Sequence, residues 1–486
     1  MTDASCPDGV NPRFDFTAEL PPLTDVRRAH LIAIGGSGMS GVARLLLARG
    51  IEVSGSDRAD SATLDDLRAA GATVTIGQSA ATADLVPADA WVVISSAIAP
   101  DNPELLRLQE RGLPVLHRAQ ALGMLMAGRG ALAVAGANGK TTTSAMATVA
   151  LRAAGADPSY AIGAPIVGLG ANAGVGEGDS FVVEADESDG SFLVYHPHVA
   201  IVTNVRDDHL DFYGSSERLH EAYADFAATV RPGGLLVVCA DDDGSAGLGE
   251  RMRAAGTRVL TYGRSVDADL RLVDDGGGAF DWHGTLLYQG QRLALRLRVP
   301  GSHNLLNAAG VVLALSAGLG VDPASVVGGL AEFQGTARRF EPCGSAAGVR
   351  VVDDYAHNPG KVEAVVRTGL ALRDGGRLIV VFQPHLYSRT QHAAAGLAEA
   401  LSLADVAIVL DVYAAREAPV AGVTGELVTD RIDGAEAVYA PTHADALRAV
   451  AERVRPGDLV LTVGAGDVTT LGPQILDALA TRPDLR

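Results

Sequence analysis

The run Leu132-Ala133-Val134-Ala135-Gly136-Ala137-Asn138-Gly139-Lys140-Thr141-Thr142-Thr143 constrains this chain more than any other. It reads as a short apolar strand, a glycine turn, one lysine, and hydroxyls opening a helix. Such a turn aims backbone N–H groups and a helix N-terminus at one point, which suits a polyphosphate. The lysine adds a mobile charge for the β/γ-phosphates, and Thr141 is placed to reach a Mg²⁺. Lysine usage sharpens this: only Lys140 and Lys361 occur, while 37 of the 39 basic residues are arginine. The spacing is G-x-x-G-K-T-T, shorter than the full P-loop, because Val134 stands where the first glycine would be. An ordinary Gly-rich strand-to-helix turn is the plainer reading of the same residues.

A chain of 486 residues is long enough for two to four domains, each with its own core. A net charge of -19 removes the basic footprint of a nucleic-acid binder. Cys6, Cys239 and Cys343 are scattered and odd in number, forming neither a metal pattern nor a disulfide framework, as in a reducing cytoplasm. Pro7, Pro12, Pro21 and Pro22 with no apolar core argue against a signal peptide, and residues 1–24 read as a loose tail. No unbroken apolar run of about eighteen residues stands out, so no membrane span is expected.

Short β-branched runs alternate with Ala/Leu-rich helical stretches, predicting parallel α/β sheets in three blocks. The first carries strands at His30–Ile34, Ile51–Val53, Trp91–Ile94 and Gly112–His117. The second follows the phosphate loop with Phe181–Val183, Val199–Val202 and Leu235–Val238, and Asp274–Gly278 reads as a hairpin loop. The third carries Val349–Val352, Arg377–Phe382, Val406–Leu410 and Leu459–Val463. In the first block Gly36-x-Gly38-x-x-Gly41, followed by Asp57, matches a dinucleotide fingerprint and leaves an NAD-linked oxidoreductase open, beside a packing-driven glycine turn. In the second, two strands end in Glu184-Ala185-Asp186-Glu187-Ser188-Asp189 and Asp207-Asp208-His209, where Mg²⁺ would sit beside the phosphate loop. Taken singly, these acids also read as loop-solvating or helix-capping residues, and His209 as a structural histidine.

Together with these strings, Ser54-Gly55-Ser56-Asp57, Ser95-Ser96-Ala97-Ile98, Pro300-Gly301-x-His303-Asn304-x-x-Asn307, Arg338-Arg339-Phe340, Asp353-Asp354-Tyr355-Ala356-His357 and Phe382-Gln383-Pro384-His385 resemble the Mur ligases from about His30 to Gly472. Within that family they are most similar to the branch that joins L-alanine to UDP-N-acetylmuramate. The resemblance implies an α/β chain of three domains: a Rossmann-like UDP-sugar domain (25–118), a P-loop-type ATPase domain with a mostly parallel sheet (119–336), and a Rossmann-like C-terminal domain (337–486). It implies ATP and Mg²⁺ as cofactors and a cytoplasmic monomer or homodimer acting on small molecules, with no nucleic-acid or membrane partner.

By the same resemblance Ser37, Gly38, Met39, Ser40, Asp57, Ser95 and Ser96 hold the UDP moiety, with Ser188 and Asn204 as further substrate contacts. Gly136, Ala137, Asn138, Gly139, Lys140, Thr141 and Thr142 take the ATP phosphates. Thr141, Glu184 and His209 take the metal, and His303, Asn304 and Asn307 the adenine side. Arg338, Asp353 and Asp354 close over ATP, while Tyr355, His357, His385 and Arg389 face the amino acid. Lys140, Glu184, His209, Arg338 and His357 are the catalytic candidates.

The chain departs from the family pattern at several positions. Ala33 replaces the first glycine of the N-terminal loop, Ala137-Asn138 replaces Thr-His, and Ala164 stands where Gly-Gly is usual. The H-H-P-T-E of the third domain becomes His357-Asn358-Pro359-Gly360-Lys361, reversing a charge near the amino-acid pocket. These changes leave two alternatives open, a ligase for a different amine and a catalytically weakened homologue.

Overall fold

The structure, a computed structural model, describes residues 11–278, 281–415 and 417–481. Strands β1 (Arg28–Ile32), β2 (Glu52–Asp57), β3 (Thr73–Ile76), β4 (Ala90–Ile94) and β5 (Val115–His117) form a parallel sheet in the order β3-β2-β1-β4-β5. The order reverses beside β1, and in open α/β sheets ligands gather at the carboxyl ends of strands at such a switch.

The middle sheet holds β6 (Gly130–Ala135), β7 (Ser159–Ala161), β8 (Ala173–Gly174), β9 (Ser180–Glu184), β10 (Val199–Val202), β11 (Leu235–Cys239), β12 (Val259–Gly263), β13 (Leu270–Gly278), β14 (Asp281–Tyr288) and β15 (Gln291–Leu297). Its order is β15-β14-β13-β12-β11-β10-β6-β9-β7-β8. Strand β6 lies between parallel neighbours β10 and β9, and Ala131–Ala135 are all buried, as both-face burial in a parallel sheet requires. The third sheet joins β16 (Glu341–Ala346), β17 (Val349–Asp354), β18 (Leu378–Phe382), β19 (Val406–Val409), β20 (Glu436–Tyr439) and β21 (Leu459–Val463) in the order β16-β17-β21-β18-β19-β20, with β16 antiparallel.

Contacts divide the chain into two compact units. One runs to residue 276 and takes in 282–298 and 302–334, so it carries the first sheet and most of the middle one. The other holds 335 onward with short pieces at 277–281 and 299–301.

Two expectations change, and one helix bears on a third. Residues 1–10 of the expected tail lie outside the described residues, as does Cys6, but from Asn11 the segment is strapped onto the first unit. Phe16 is buried, and the Phe14 and Phe16 rings each sit 5.1 Å from His117. Arg13 Nη1 donates to Ile98 O at 2.5 Å and Gln120 Nε2 to Asp15 O at 3.3 Å. Two aromatic rings in a polar, proline-rich stretch gain enough apolar burial to hold it down.

The glycine run Asp274–Gly278 is not a hairpin loop but the end of β13, paired to β14. Finally, the helix Ser302–Leu319 is long and apolar enough by length and composition to cross a membrane. It is over half buried against β10, β11, β12 and the helix Lys140–Ala153, the placement of a core helix.

Candidate active site

The phosphate loop connects β6 to the helix Lys140–Ala153. Gly136 has φ 132° and a Cβ there would lie 2.1 Å from Thr203 Oγ1, while Gly139 has φ 87° against Asn307. Both positions therefore need glycine. Asn204 braces the loop from the end of β10, its side-chain oxygen accepting from Asn138 N at 2.9 Å and its amide donating to Asn138 O at 2.9 Å. Thr203 Oγ1 also donates to Asn138 O, at 2.6 Å. Asn204, expected against substrate, is thus spent on shaping the loop, and Ala137 N donates to its carbonyl at 3.3 Å.

Lys140 Nζ donates to Glu187 Oε1 at 2.7 Å and to Gly136 O at 2.8 Å. Burial works against the ammonium charge, but Glu187 and Asp186 outweigh it and raise its pKa. Burial pushes the Glu187 carboxyl up against the pull of Lys140, and Glu187 Oε2 is buried with no hydrogen-bond partner. Asp186 is held below its usual value, since Lys140 and His209 together overcome its desolvation. Thr141 Oγ1 donates to Glu184 Oε1 at 3.0 Å, and Glu184 Oε2 accepts from Gly163 N at 2.6 Å. Thr142 lies on the half-buried rim of the first turn.

Ser188 donates its N–H to Asp186 Oδ1 at 3.1 Å, which shapes the acidic loop. His209 sits at φ 53° at the start of a short turn of helix. Among the described residues no three acids, cysteines or histidines already converge as a metal cage. Asn304 and Asn307 are buried and joined at 3.2 Å beside Gly139, and His303 precedes them at the exposed helix start.

A cleft of about 370 Å³ carries Ser37, Gly38, Met39 and Ser95 from the first sheet together with Glu184 and Asp186. Asp57, expected at a ribose, accepts from Gly35 N and Arg58 N at 2.8 Å each and so holds the glycine turn. Ser40 Oγ donates to Ser37 O at 3.2 Å, and Asn172 Nδ2 donates to the same oxygen at 2.8 Å. Ser96 donates to Asp189 Oδ2 and lies 3.1 Å from His117 Nε2. Ala33 has φ 59°, so alanine occupies a left-handed position where the family pattern has glycine. Arg118, which reaches the cleft, escapes the motifs, the only clue being that it follows a strand, while Asp189 belongs to the acid-rich strand end and carries no individual role in the sequence reading.

The second unit gathers its own cluster. Arg338 Nη2 donates to Gly464 O at 2.6 Å and to Gly466 O at 3.1 Å, with Nε 3.4 Å from Asp353 Oδ2 and its guanidinium 4.7 Å over the Tyr355 ring. Asp353 accepts from Thr462 Oγ1 at 2.6 Å and Thr469 Oγ1 at 2.8 Å. Asp354 accepts from Phe340 N and Ala356 N at 2.8 Å each, and burial pushes its carboxyl up to about 6. Both acids, expected over ATP, brace the Arg338–Ala356 region through these bonds.

His357 Nδ1 contacts Tyr355 O at 2.9 Å, which fixes the proton on Nδ1 and leaves Nε2 as an acceptor. Burial, with Lys361, Arg389 and His385 nearby, lowers its pKa to about 3. The His385 ring is 6.2 Å from His357 and stacks on Tyr413 at 6.0 Å.

A glycine loop with a charged lysine, set beside acids at two strand ends and a second nucleotide-type glycine turn, defines a multidomain α/β protein built to handle nucleotide phosphates. Three family models match the chain: Mur ligase family, catalytic domain, at residues 28–129; Mur ligase middle domain at 134–315; and Mur ligase, glutamate ligase domain, at 338–466. The chain belongs to the Mur ligase family.

It is 54% identical over 458 residues to a UDP-N-acetylmuramate--L-alanine ligase of Kineococcus radiotolerans, covering 94% of this chain and 97% of that one. Its identity to the same-named ligase of Mycobacterium bovis is 48%, covering 96% and 97%. The crystal structure of UDP-N-acetylmuramate-alanine ligase from Thermotoga maritima matches with a TM-score of 0.77 at 29% identity, covering 93% of this chain and 98% of that one.

Proposed function

We propose that the protein is an ATP-dependent ligase joining L-alanine to the lactyl carboxylate of UDP-N-acetylmuramate in peptidoglycan precursor synthesis. The observation that carries this is Lys140, charged and held at the mouth of the phosphate loop by Gly136 O and Glu187. Near-full-length likeness to ligases of that name supports the choice of substrates. The enzyme works in the cytoplasm on small molecules, as a monomer or homodimer.

The substrate carboxylate attacks the γ-phosphorus of ATP, ADP leaves, and an acyl phosphate forms. The alanine amine then attacks the activated carbonyl, and the tetrahedral intermediate expels phosphate as the nitrogen loses a proton. Lys140 and the loop N–H groups offset the charge that accumulates on the transferring phosphoryl group. In the second unit His357 Nε2 offers an acceptor to the incoming ammonium group, and Arg389 offers a cation to its carboxylate.

The residues beside the loop fit a Mg²⁺ ion, because the buried Glu187 Oε2 lacks a partner and Thr141 and Glu184 already meet. Thr141, Glu184 and His209 would hold the ion, which supplies neutralisation of the phosphate charge.

The test is phosphate release from ATP with UDP-N-acetylmuramate and a panel of amino acids. Alanine-dependent turnover is expected; turnover with another amino acid alone would replace alanine, and none with intact ATP binding would remove the ligase reading.

A further inference from the structure

We infer that Arg118 is the side chain that grips the diphosphate of the sugar-nucleotide substrate, which rests on the proposed function above. Arg118 opens the helix Arg118–Met126 directly after β5, and a capping box fixes that start: Gln120 Oε1 accepts from His117 N at 2.8 Å and His117 Nδ1 from Ala119 N at 3.2 Å. The strap rings of Phe14 and Phe16 press on His117 from outside, so the first turn of this helix has little freedom.

From there the side chain extends across Gly38. A Cβ at Gly38 would stand 3.1 Å from Arg118 Cδ and 3.3 Å from both Nε and Nη1. The guanidinium therefore lies against the first turn of the twelve-residue helix Ser37–Ala48, where unpaired backbone N–H groups already favour an anion.

Charge bookkeeping within the cleft points the same way. Glu184 and Asp186 line it, and Arg118 is the cationic side chain among the lining residues. A diphosphate entering between those acids meets repulsion unless a cation is interposed. Arg118 has its donors available for this: among the described residues its guanidinium makes no hydrogen bond and no ion pair, although arginine carries five donors in a planar fork suited to phosphate oxygens.

A role confined to balancing Asp186 is the competing explanation. Lys140 and His209 both outrank Arg118 in holding that carboxylate ionised, and Lys140 and Glu187 pair directly at 2.7 Å without it. The free fork and its seat over Gly38 are what such a balancing role leaves unexplained.

The experiment titrates uridine, UMP, UDP and ATP into the full-length wild type, Arg118→Met and Arg118→Lys by calorimetry. It adds steady-state kinetics with UDP-N-acetylmuramate. Expected in Arg118→Met is a loss of roughly tenfold or more in UDP affinity, matching one charge-assisted hydrogen bond. Uridine and ATP affinities should be unchanged, KM for the sugar nucleotide should rise, and Arg118→Lys should recover part of the loss. Equal UDP affinity in wild type and Arg118→Met overturns the assignment, as does an equal loss for uridine, UDP and ATP, which marks a structural residue. A fall in kcat at constant KM overturns it too, because the residue would then act at the reacting carboxylate. Failure of the wild type itself to bind UDP removes the sugar-nucleotide reading first and this inference with it.

Discussion

Two acidic clusters, one in each compact unit, both close a β-strand and are hydrogen-bonded in different ways. In the first, Glu187 and Asp186 surround Lys140, and one oxygen of Glu187 is buried without a partner. In the second, Asp353 and Asp354 spend their oxygens on Thr462, Thr469, Phe340 N and Ala356 N. A buried carboxylate oxygen with no partner keeps unmet hydrogen-bonding capacity, whereas a carboxylate bonded at both oxygens is fixed in place and helps hold the shape around it. The difference teaches that a family string fixes which residue stands at a position without fixing what that residue hydrogen-bonds.

The largest effect should come from the first cluster. Lys140→Ala keeps the fold and removes at least ~3 kcal/mol of transition-state stabilisation, the scale of one preorganised donor, so kcat falls more than about a hundredfold. A loss confined to KM for ATP breaks the comparison.

Next, Asp353→Asn should lower unfolding free energy by about 1–3 kcal/mol, because two buried hydroxyl bonds and the Arg338 contact lose their acceptor charge. Urea unfolding with ATP titration checks it. Weaker ATP binding at unchanged stability would make this second acid a ligand group as well.

His357 gives a smaller effect that depends on pH. Its pKa is about 3 in the fold against an ordinary 6.5, so its neutral form stabilises the protein above pH 6.5 and that contribution drains away as pH falls toward 3. His357→Gln should flatten this acid limb in urea midpoints taken from pH 7 to 4. An inflection near 6.5 in the amino-acid kcat/KM that vanishes in the variant would instead make His357 a titrating group in catalysis.

The smallest effect is expected at Ala33. Ala33→Gly relieves the φ of 59°, worth ~1–2 kcal/mol for a left-handed L-residue, and loses part of that to glycine's greater unfolded freedom. A urea midpoint raised by up to ~1 kcal/mol is expected, and a lowered midpoint would show that the turn is tuned to alanine.

The sheets were legible because both-face burial makes parallel strands such as Val199–Val202 and Leu459–Val463 read as unbroken apolar runs. Gly136, Gly139 and Lys140 were equally legible, since a tight turn and a phosphate charge leave few residue choices. Contacts across long stretches of chain were not. Nothing local marks Phe14 and Phe16 as packing on His117, about a hundred residues away, or Arg118 as crossing Gly38. The bracing roles of Asp57, Asn204, Asp353 and Asp354 were hidden for a related reason: a motif records which residue stands at a position, while its hydrogen bonds decide whether it meets the ligand or shapes the loop that does.

Asp189 lies two residues beyond Glu187 and accepts from Ser96, while its carbonyl accepts from Asn11 at 3.4 Å. One short segment thereby belongs both to the wall where the sugar nucleotide would rest and to the wall that holds Lys140. Two ligands that each order the same segment share its ordering cost, so whichever binds first lowers the cost for the other. Thermodynamic reciprocity then requires the sugar nucleotide to tighten ATP by the same factor as ATP tightens the sugar nucleotide. Cutting the link with Ser96→Ala should bring both factors toward one together, making the mutual dependence of the two ligands a property of a single hydrogen bond.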